Sequence, residues 1–303
     1  MNQARLGIET IKTDFLVLGA GIAGLSAAYH LSKHAKTVVL SKGSIKESST
    51  AYAQGGIAAA LKDGDTPALH FDDTIKAGDG LCDEKAVRIL VEEGPRRVKE
   101  LIDMGANFDR YEDGFSFTKE AAHSKRRILH AGDRTGLEIE KTLGRTLLGQ
   151  KNSTFFSNTT VLQLLIEGNR VIGCVAKKED KTIVFLAKAT VLATGGAGQV
   201  FLRNTNPSLA TGDGIALAYR AGCEIADMAF MQFHPTTLFE GDKRPISLFL
   251  ISEALRGEGA WLRNSDGDRF MTDYDHRLEL APRDIVSRAI FSEMKRLKSS
   301  HVY

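Results

Sequence analysis

The stretch "DFLVLGAGIAGLSAAYHLSKHAKTVVLSKG", residues 14–43, constrains the fold more than any other part of the chain. Residues 15–18 form a short apolar run, glycines follow at once, and small and apolar residues then recur with helical spacing from Gly24 to about His34. Residues 37–40 make a second apolar run. A strand, a glycine turn, a helix and a strand in that order predict a βαβ opening, and hence an α/β fold built on a parallel sheet.

The turn itself reads G-x-G-x-x-G at Gly19, Gly21 and Gly24, placed between strand and helix where a dinucleotide fingerprint must lie. Gly19 suits the tight turn, Gly21 lets the backbone approach a pyrophosphate, and Gly24 lets helix and strand pack closely. The phosphates belong at the positive helix N-terminus, beside Ala20, Ile22 and Ala23. The plainer alternative is a glycine-rich turn with no ligand. The fingerprint also expects an acid about 20 residues on, for ribose hydroxyls. Ser41 and Lys42 hold that place instead, which departs from the ordinary NAD pattern. Further along, "ATGGAG" at residues 193–198 again ends an apolar strand in glycines. It reads either as a second chain crossing towards the same cofactor, through Gly195 and Gly196, or as a plain strand-end turn.

Composition narrows the class. The 303 residues are 43% hydrophobic and 26% charged, ordinary for a globular chain with a substantial core. Forty basic residues against 38 acidic ones leave a formal charge of +2, too little to gather nucleic acid or an anionic membrane. Cys82, Cys174 and Cys223 form no CxxC and suggest neither a disulfide framework nor a metal site. No signal pattern opens the chain, and no apolar run nears the ~18 residues of a membrane span, so a cytoplasmic protein is expected. Residues 72–101 have helical periodicity. "TTVLQLLIEGNRVIGCVAKKEDKTIVFLAKATVLATGG" reads as an antiparallel meander followed by a separate buried strand in "ATVLATGG". "RDIVSRAIFSEMKRL" predicts a late helix. We expect a domain boundary near Phe230, with residues 1–231 binding a cofactor and residues 232–303 beginning a second, α+β domain.

Taken together, "GAGIAGLSAA", "SSTAYAQGGIAAA", "EAAHSKRRILHAGDRTG", "ATGGAGQVF", "NTNPSLATGDGIALAYRAG", "MQFHPTTLF", "SEALRGEGAWL" and "ELAPRDIVSRAI" resemble the flavoproteins of fumarate reductase and succinate dehydrogenase. Within that group the chain is most similar to the L-aspartate oxidases, and the motifs arrive in the family order. The resemblance implies a Rossmann-like FAD-binding fold with an antiparallel meander and the start of a capping domain. It assigns Ser49, Thr50, Ala51, Tyr52, Ala53, Gln54, Gly55 and Gly56 to the flavin end of FAD. A flat ring with polar edges needs donors nearby and no side chains in the way. Lys42 is implied at the adenosine side, and Thr160 and Asp213 at other polar edges, although an Asp-Gly pair such as Asp213-Gly214 also makes turns unaided. At position 49 the respiratory flavoproteins carry a histidine bonded to FAD. Ser49 excludes that attachment, so noncovalent FAD is expected.

For the substrate, the resemblance implies that His234 and the hydroxyl of Ser252 bind carboxylate oxygens beside Glu253 and Arg256. Position 252 is usually threonine in the oxidases, so a serine there loses a methyl. Arg283 matches the family arginine that handles the proton, a role its reference pKa above 12 does not suggest by itself. Glu120 corresponds to a carboxylate that meets the substrate's ammonium. The plainer alternatives are a satisfied core histidine for His234 and surface ion pairs for Arg283 and Glu120. The implied reaction is oxidation of L-aspartate to iminoaspartate with O2 or fumarate as acceptor, feeding NAD synthesis through quinolinate synthase. A respiratory-type flavoprotein and a non-catalytic flavin-binding chain are the other readings. The family's later histidine-bearing and arginine-bearing segments do not occur, so a C-terminally shortened member with weak activity of its own is expected.

Overall fold

The computed structural model describes residues 9–112, 114–120, 122–241 and 246–303. In chain order the main elements are β1 (Glu9–Leu18), α1 (Ile22–Ser32), β2 (Thr37–Leu40), β3 (Ile57–Ala58), α2 (Pro67–Ala77), α3 (Glu84–Asp103), β4 (Arg110–Tyr111), β5 (Gly114–Phe115), β6 (Phe117–Thr118) and β7 (Ile128–Leu129). There follow α4 (Thr135–Leu148), β8 (Ser153–Phe156), β9 (Thr159–Glu167), β10 (Arg170–Lys178), β11 (Lys181–Leu192), α5 (Asp213–Arg220), α6 (Glu253–Gly257) and α7 (Arg283–Leu297).

One compact unit takes residues 9–53, 103–106 and 134–229. Its six-stranded sheet has the order β8-β2-β1-β11-β10-β9, parallel from β8 through β11 and antiparallel from there to β9. The expected βαβ opening is present. All four residues of β2, "TVVL", are buried, as a central parallel strand covered on both faces demands. The strand predicted at residues 15–18 starts earlier, at Glu9, and "ATVLATGG" is no separate strand. It is the end of β11, twelve residues long, whose Glu9↔Ile183 to Leu18↔Leu192 register zips the whole length of β1. Leu16, Leu18, Val38, Leu40, Leu164, Cys174, Ile183, Phe185 and Leu217 form the core of this unit.

The second unit comprises residues 54–102, 107–133 and 230–303. α2 starts on Thr66, whose hydroxyl accepts from Leu69 N–H at 3.2 Å, with Pro67 at the first helical position, where its missing N–H costs nothing. A small antiparallel sheet pairs β3, β7 and β6. α7 covers the whole of the predicted helix. Asp284 in its first turn and Lys295 and Arg296 in its last complement the helix dipole. It packs through Val286, Ala289 and Ile290 on Leu262, Phe270, Met271 and Ala281. Among the described residues no helix is long and apolar enough to cross a membrane, and all three cysteines are free.

Candidate functional site

A cavity of about 380 Å³ opens where β1, β2 and β11 end, at Leu18, Leu40 and Leu192. Ligands bind at this edge of an open parallel sheet because the helix N-termini point there. The turn from Gly19 to Ala23 lines it, with Lys42 after β2, Ser49 and Thr50 from the following loop, Thr160 of β9, Gly195 and Gly196 after β11, and Asp213 at the start of α5. Ser44, Glu47, Ser48 and Thr194 line it too, without having been singled out in the sequence. Ser48, adjoining Ser49 in a run of hydroxyls, and Thr194, inside "ATGGAG", had a legible signal. Gly19 has a φ of +110°, a conformation that favours glycine. Gly24 is not a lining residue. A Cβ there would collide with the carbonyl oxygen of Gly19, so its role is close packing.

Electrostatically the cavity suits an anion. α1 begins with no acidic residue in its first turn and no capping side chain on Gly21. Ile22 N–H donates instead to Thr50 Oγ1 at 3.0 Å. Lys42 Nζ lies 2.7 Å from both Asp213 Oδ2 and Thr211 Oγ1, and Lys42 chiefly holds the Asp213 carboxyl below the usual carboxylate range. The two residues expected at separate edges of the cofactor are therefore paired with each other. A Cβ at Gly195 or Gly196 would meet no atom within 4 Å, which leaves open space beside a flat backbone. These features fit a dinucleotide with a flat ring system.

The rest of the Ser49–Gly56 segment divides. Ala51, Tyr52 and Ala53 do not line the cavity. They fold into a turn in which Ala53 N–H donates to Thr50 O at 3.1 Å and Ala53 O accepts from Gly136 N–H at 3.1 Å, and Tyr52 is exposed. Gln54, Gly55 and Gly56 belong to the second unit. Gln54 Nε2 donates to Leu250 O at 3.4 Å, and Gly56 packs against Ile128 and Leu129.

The predicted substrate residues converge in the second unit. Residues 236–238 and 249–251 pair, with Leu238 N–H on Phe249 O and Thr236 Oγ1 on Ile251 O, which brings His234 towards Ser252 and α6. His234 Nδ1 is engaged by Thr236, at 3.0 Å from its carbonyl oxygen and 3.3 Å from its nitrogen, so Nε2 is the ring atom left for a ligand. Burial first, then the Arg283 charge, lowers the His234 pKa, so the ring is neutral at neutral pH. Arg283, first residue of α7, donates from Nε to Glu253 Oε2 at 2.8 Å and from Nη1 to Gln232 Oε1 at 3.4 Å. Arg256 is 4% exposed and donates through Nη1 to Glu279 O at 2.7 Å. Its Nε and Nη2 have no hydrogen-bond partner among the described residues, and Glu253 Oε2 is 3.8 Å from Nη2. Burial, and less strongly Arg283, lowers the Arg256 pKa. Two guanidinium groups thus share one carboxylate.

Glu120 has other neighbours. It is half-buried, its Oε1 lies beside Gly55, and its carbonyl accepts from His123 N–H at 3.1 Å. Behind it runs a network that sequence reasoning did not find. Arg127, fully buried, holds Asp65 through Nε and Nη2 at 2.9 and 2.8 Å and Asp73 through Nη1 at 2.6 Å. Ser124 adds two 2.8 Å bonds to Asp73. The His70 and His123 rings lie 5.6 Å apart, tilted by 54°, and burial, followed by the Arg127 charge, lowers both pKa values.

A parallel sheet whose strand ends and first helix surround such a cavity defines a dinucleotide-binding protein. The chain belongs to the FAD binding domain family, which it matches over residues 14–303, and its cofactor is FAD. It is 46% identical to an L-aspartate oxidase of Yersinia pestis over 96% of its length, and 48% identical to one of Streptomyces coelicolor over 97%. It covers 57% and 52% of those proteins, about half the length of the curated relatives it matches. The likeness to L-aspartate oxidases seen in the motifs therefore extends along the chain. Among solved structures, a mutant FrdA of E. coli quinol fumarate reductase matches with a TM-score of 0.88 at 34% identity, over 95% of this chain and 52% of that one. A flavocytochrome c3 fumarate reductase in its open conformation matches with a TM-score of 0.75 at 29% identity, over 93% and 51%.

Proposed function

We propose that the whole protein oxidises L-aspartate to iminoaspartate, and the cluster around Glu253 is the observation that carries this reading. A dicarboxylate needs several fixed donors, and the Ser252 hydroxyl, the Arg283 guanidinium and, in the tautomer whose Nδ1 accepts from Thr236 N–H, His234 Nε2 supply them. A charge-assisted hydrogen bond contributes roughly 1.5–3 kcal/mol, so three such donors select a dianion over a neutral molecule. Bound FAD supplies the two-electron acceptor. The proton that leaves the substrate amine enters this chain at Arg283 as that guanidinium, already cationic, releases one of its own protons to Glu253 Oε2, 2.8 Å from Nε. Glu253 Oε2, 2.8 Å from Arg283 Nε and 3.8 Å from Arg256 Nη2, links that guanidinium to a buried second one whose pKa is already lowered. Glu120 provides the counter-charge for the substrate ammonium. In this reading residues 1–231 hold the cofactor and 232–303 begin the capping domain. O2 or fumarate reoxidises FAD in the cytoplasm, and quinolinate synthase consumes the product for NAD synthesis.

Replacing Glu120 by glutamine should lower kcat/KM for L-aspartate by about tenfold to a hundredfold, the loss of one charged contact worth roughly 1.5–3 kcal/mol, while fumarate reduction changes little. Equal losses in both would show that Glu120 serves the fold. The alternative of a respiratory-type flavoprotein has the fumarate reductase structural likeness in its favour. Ser49 separates the two: acid precipitation of the flavin-loaded protein should release all yellow colour, and colour kept in the pellet would support the alternative.

A further inference from the structure

We propose that Glu140 is a positioning residue for the FAD cradle: its carboxyl decides which way the Ser48 hydroxyl points, and so how strongly the cavity holds an anionic dinucleotide. The inference rests on the cavity being the FAD site and is independent of the substrate.

Glu140 stands on the buried face of α4, which packs against α1 and β8. It is 2% exposed, and neither carboxyl oxygen has a hydrogen-bond partner among the described residues. A buried acid without partners is costly, so its presence calls for a use. Gly136, at the start of the same helix, is tied to the loop carrying Ser48 by the bond from its N–H to Ala53 O. Ser48 lines the cavity, and its Oγ accepts from Ala51 N–H at 3.0 Å. Its hydroxyl is also the polar neighbour of Glu140, close enough to favour the ionised carboxyl although outside hydrogen-bonding geometry.

A serine hydroxyl has one hydrogen. With Ala51 N–H on its oxygen, that hydrogen goes either to Glu140 or to the cavity. An ionised Glu140 draws it inward and adds a buried negative charge near the seat of a pyrophosphate. A protonated Glu140 carries no charge to attract it and frees the serine hydrogen for the ligand. Both effects favour FAD binding by the protonated form. Burial, opposed by Ser48, pushes the carboxyl up to about 7, which puts the exchange at neutrality. The other titratable side chains on the surrounding elements are Tyr29 and His30 on α1, Glu138, Lys141 and Arg145 on α4, and Lys42, Lys46, Glu47 and Tyr52 on the loop after β2, while β8 has none. All of them remain when Glu140 alone is changed.

The test is to titrate FAD into the flavin-free full chain by fluorescence quenching between pH 5.5 and 8.5. The wild-type Kd should rise about tenfold from pH 6 to 8, as one proton with a pKa near 7 requires. Glu140→Gln should keep the low-pH affinity throughout, and Ser48→Ala should lose at least half of the logarithmic slope. A flat wild-type profile, or an unchanged slope in a folded Glu140→Gln protein, overturns the proposal. Should Glu140→Gln fail to fold by circular dichroism, an unchanged slope in Ser48→Ala overturns it equally. Absence of FAD binding at every pH would overturn the cradle assignment and the proposal with it.

Discussion

Replacing Arg127 by methionine is expected to remove about 3–5 kcal/mol of stability, enough to consume much of the roughly 5–15 kcal/mol that holds a typical domain folded. Methionine fills similar space, so packing loss is small and the electrostatic cost dominates. The Asp65 and Asp73 side chains are 2% and 15% exposed, and each would keep its charge with no cation beside it. Chemical denaturation of wild type and variant measures the effect, and a difference below about 1 kcal/mol would mean that water reaches the two carboxylates. The pH dependence has a definite sign. Burial alone would raise the Asp73 carboxyl, but Ser124 and Arg127 together hold it below the usual range. A depressed acid contributes stability above its unfolded pKa and loses it as pH falls through the folded one. The gap between the two proteins should therefore shrink as the solution is acidified below about pH 4.

Arg283→Gln is expected to lower turnover of L-aspartate by about a thousandfold, roughly 4 kcal/mol of transition-state stabilisation, while leaving the denaturation midpoint nearly unchanged. The second half of that statement follows from exposure: the Arg283 side chain is 35% accessible, and partly exposed ion pairs contribute little to folding. The first half follows from position. Glutamine can still donate a hydrogen bond, but it cannot take up and pass on a proton or set a positive charge beside Glu253. Turnover within twofold of wild type would make the Arg283–Glu253 contact a surface ion pair and nothing more.

Local pattern made part of this molecule legible. The run of residues 37–40 and the glycine turn before α1 identify themselves by periodicity, and α7 does so by its apolar spacing from Ile285 to Ile290. β11 does not, because the polar Lys188 and Thr190 break its apolar run and made one strand look like two. What holds it together is a parallel pairing with β1 across about 170 residues, which no local window contains. Lys42 and Asp213 were each readable as cofactor contacts, yet their pairing at 2.7 Å, 171 residues apart, is a product of the fold. Arg127 is the extreme case. In "SKRRILH" it looks like one of three solvated cations, and only Asp65 and Asp73, delivered by residues before and within α2, turn it inward.

The register between β1 and β11 also sets a timetable for the newborn chain. β1 leaves the ribosome well before β11, with Leu16, Val17 and Leu18 destined for complete burial. One of its two neighbours, β2, follows within about 20 residues, but the other ends at Leu192. At roughly 5–20 residues per second, synthesis leaves that edge of β1 without its partner for about 10–35 s. Bare apolar strand edges invite pairing with other chains. Chaperone capacity and translation speed over the codons between β1 and β11 will therefore decide the yield of folded protein more than any single contact at its cavity.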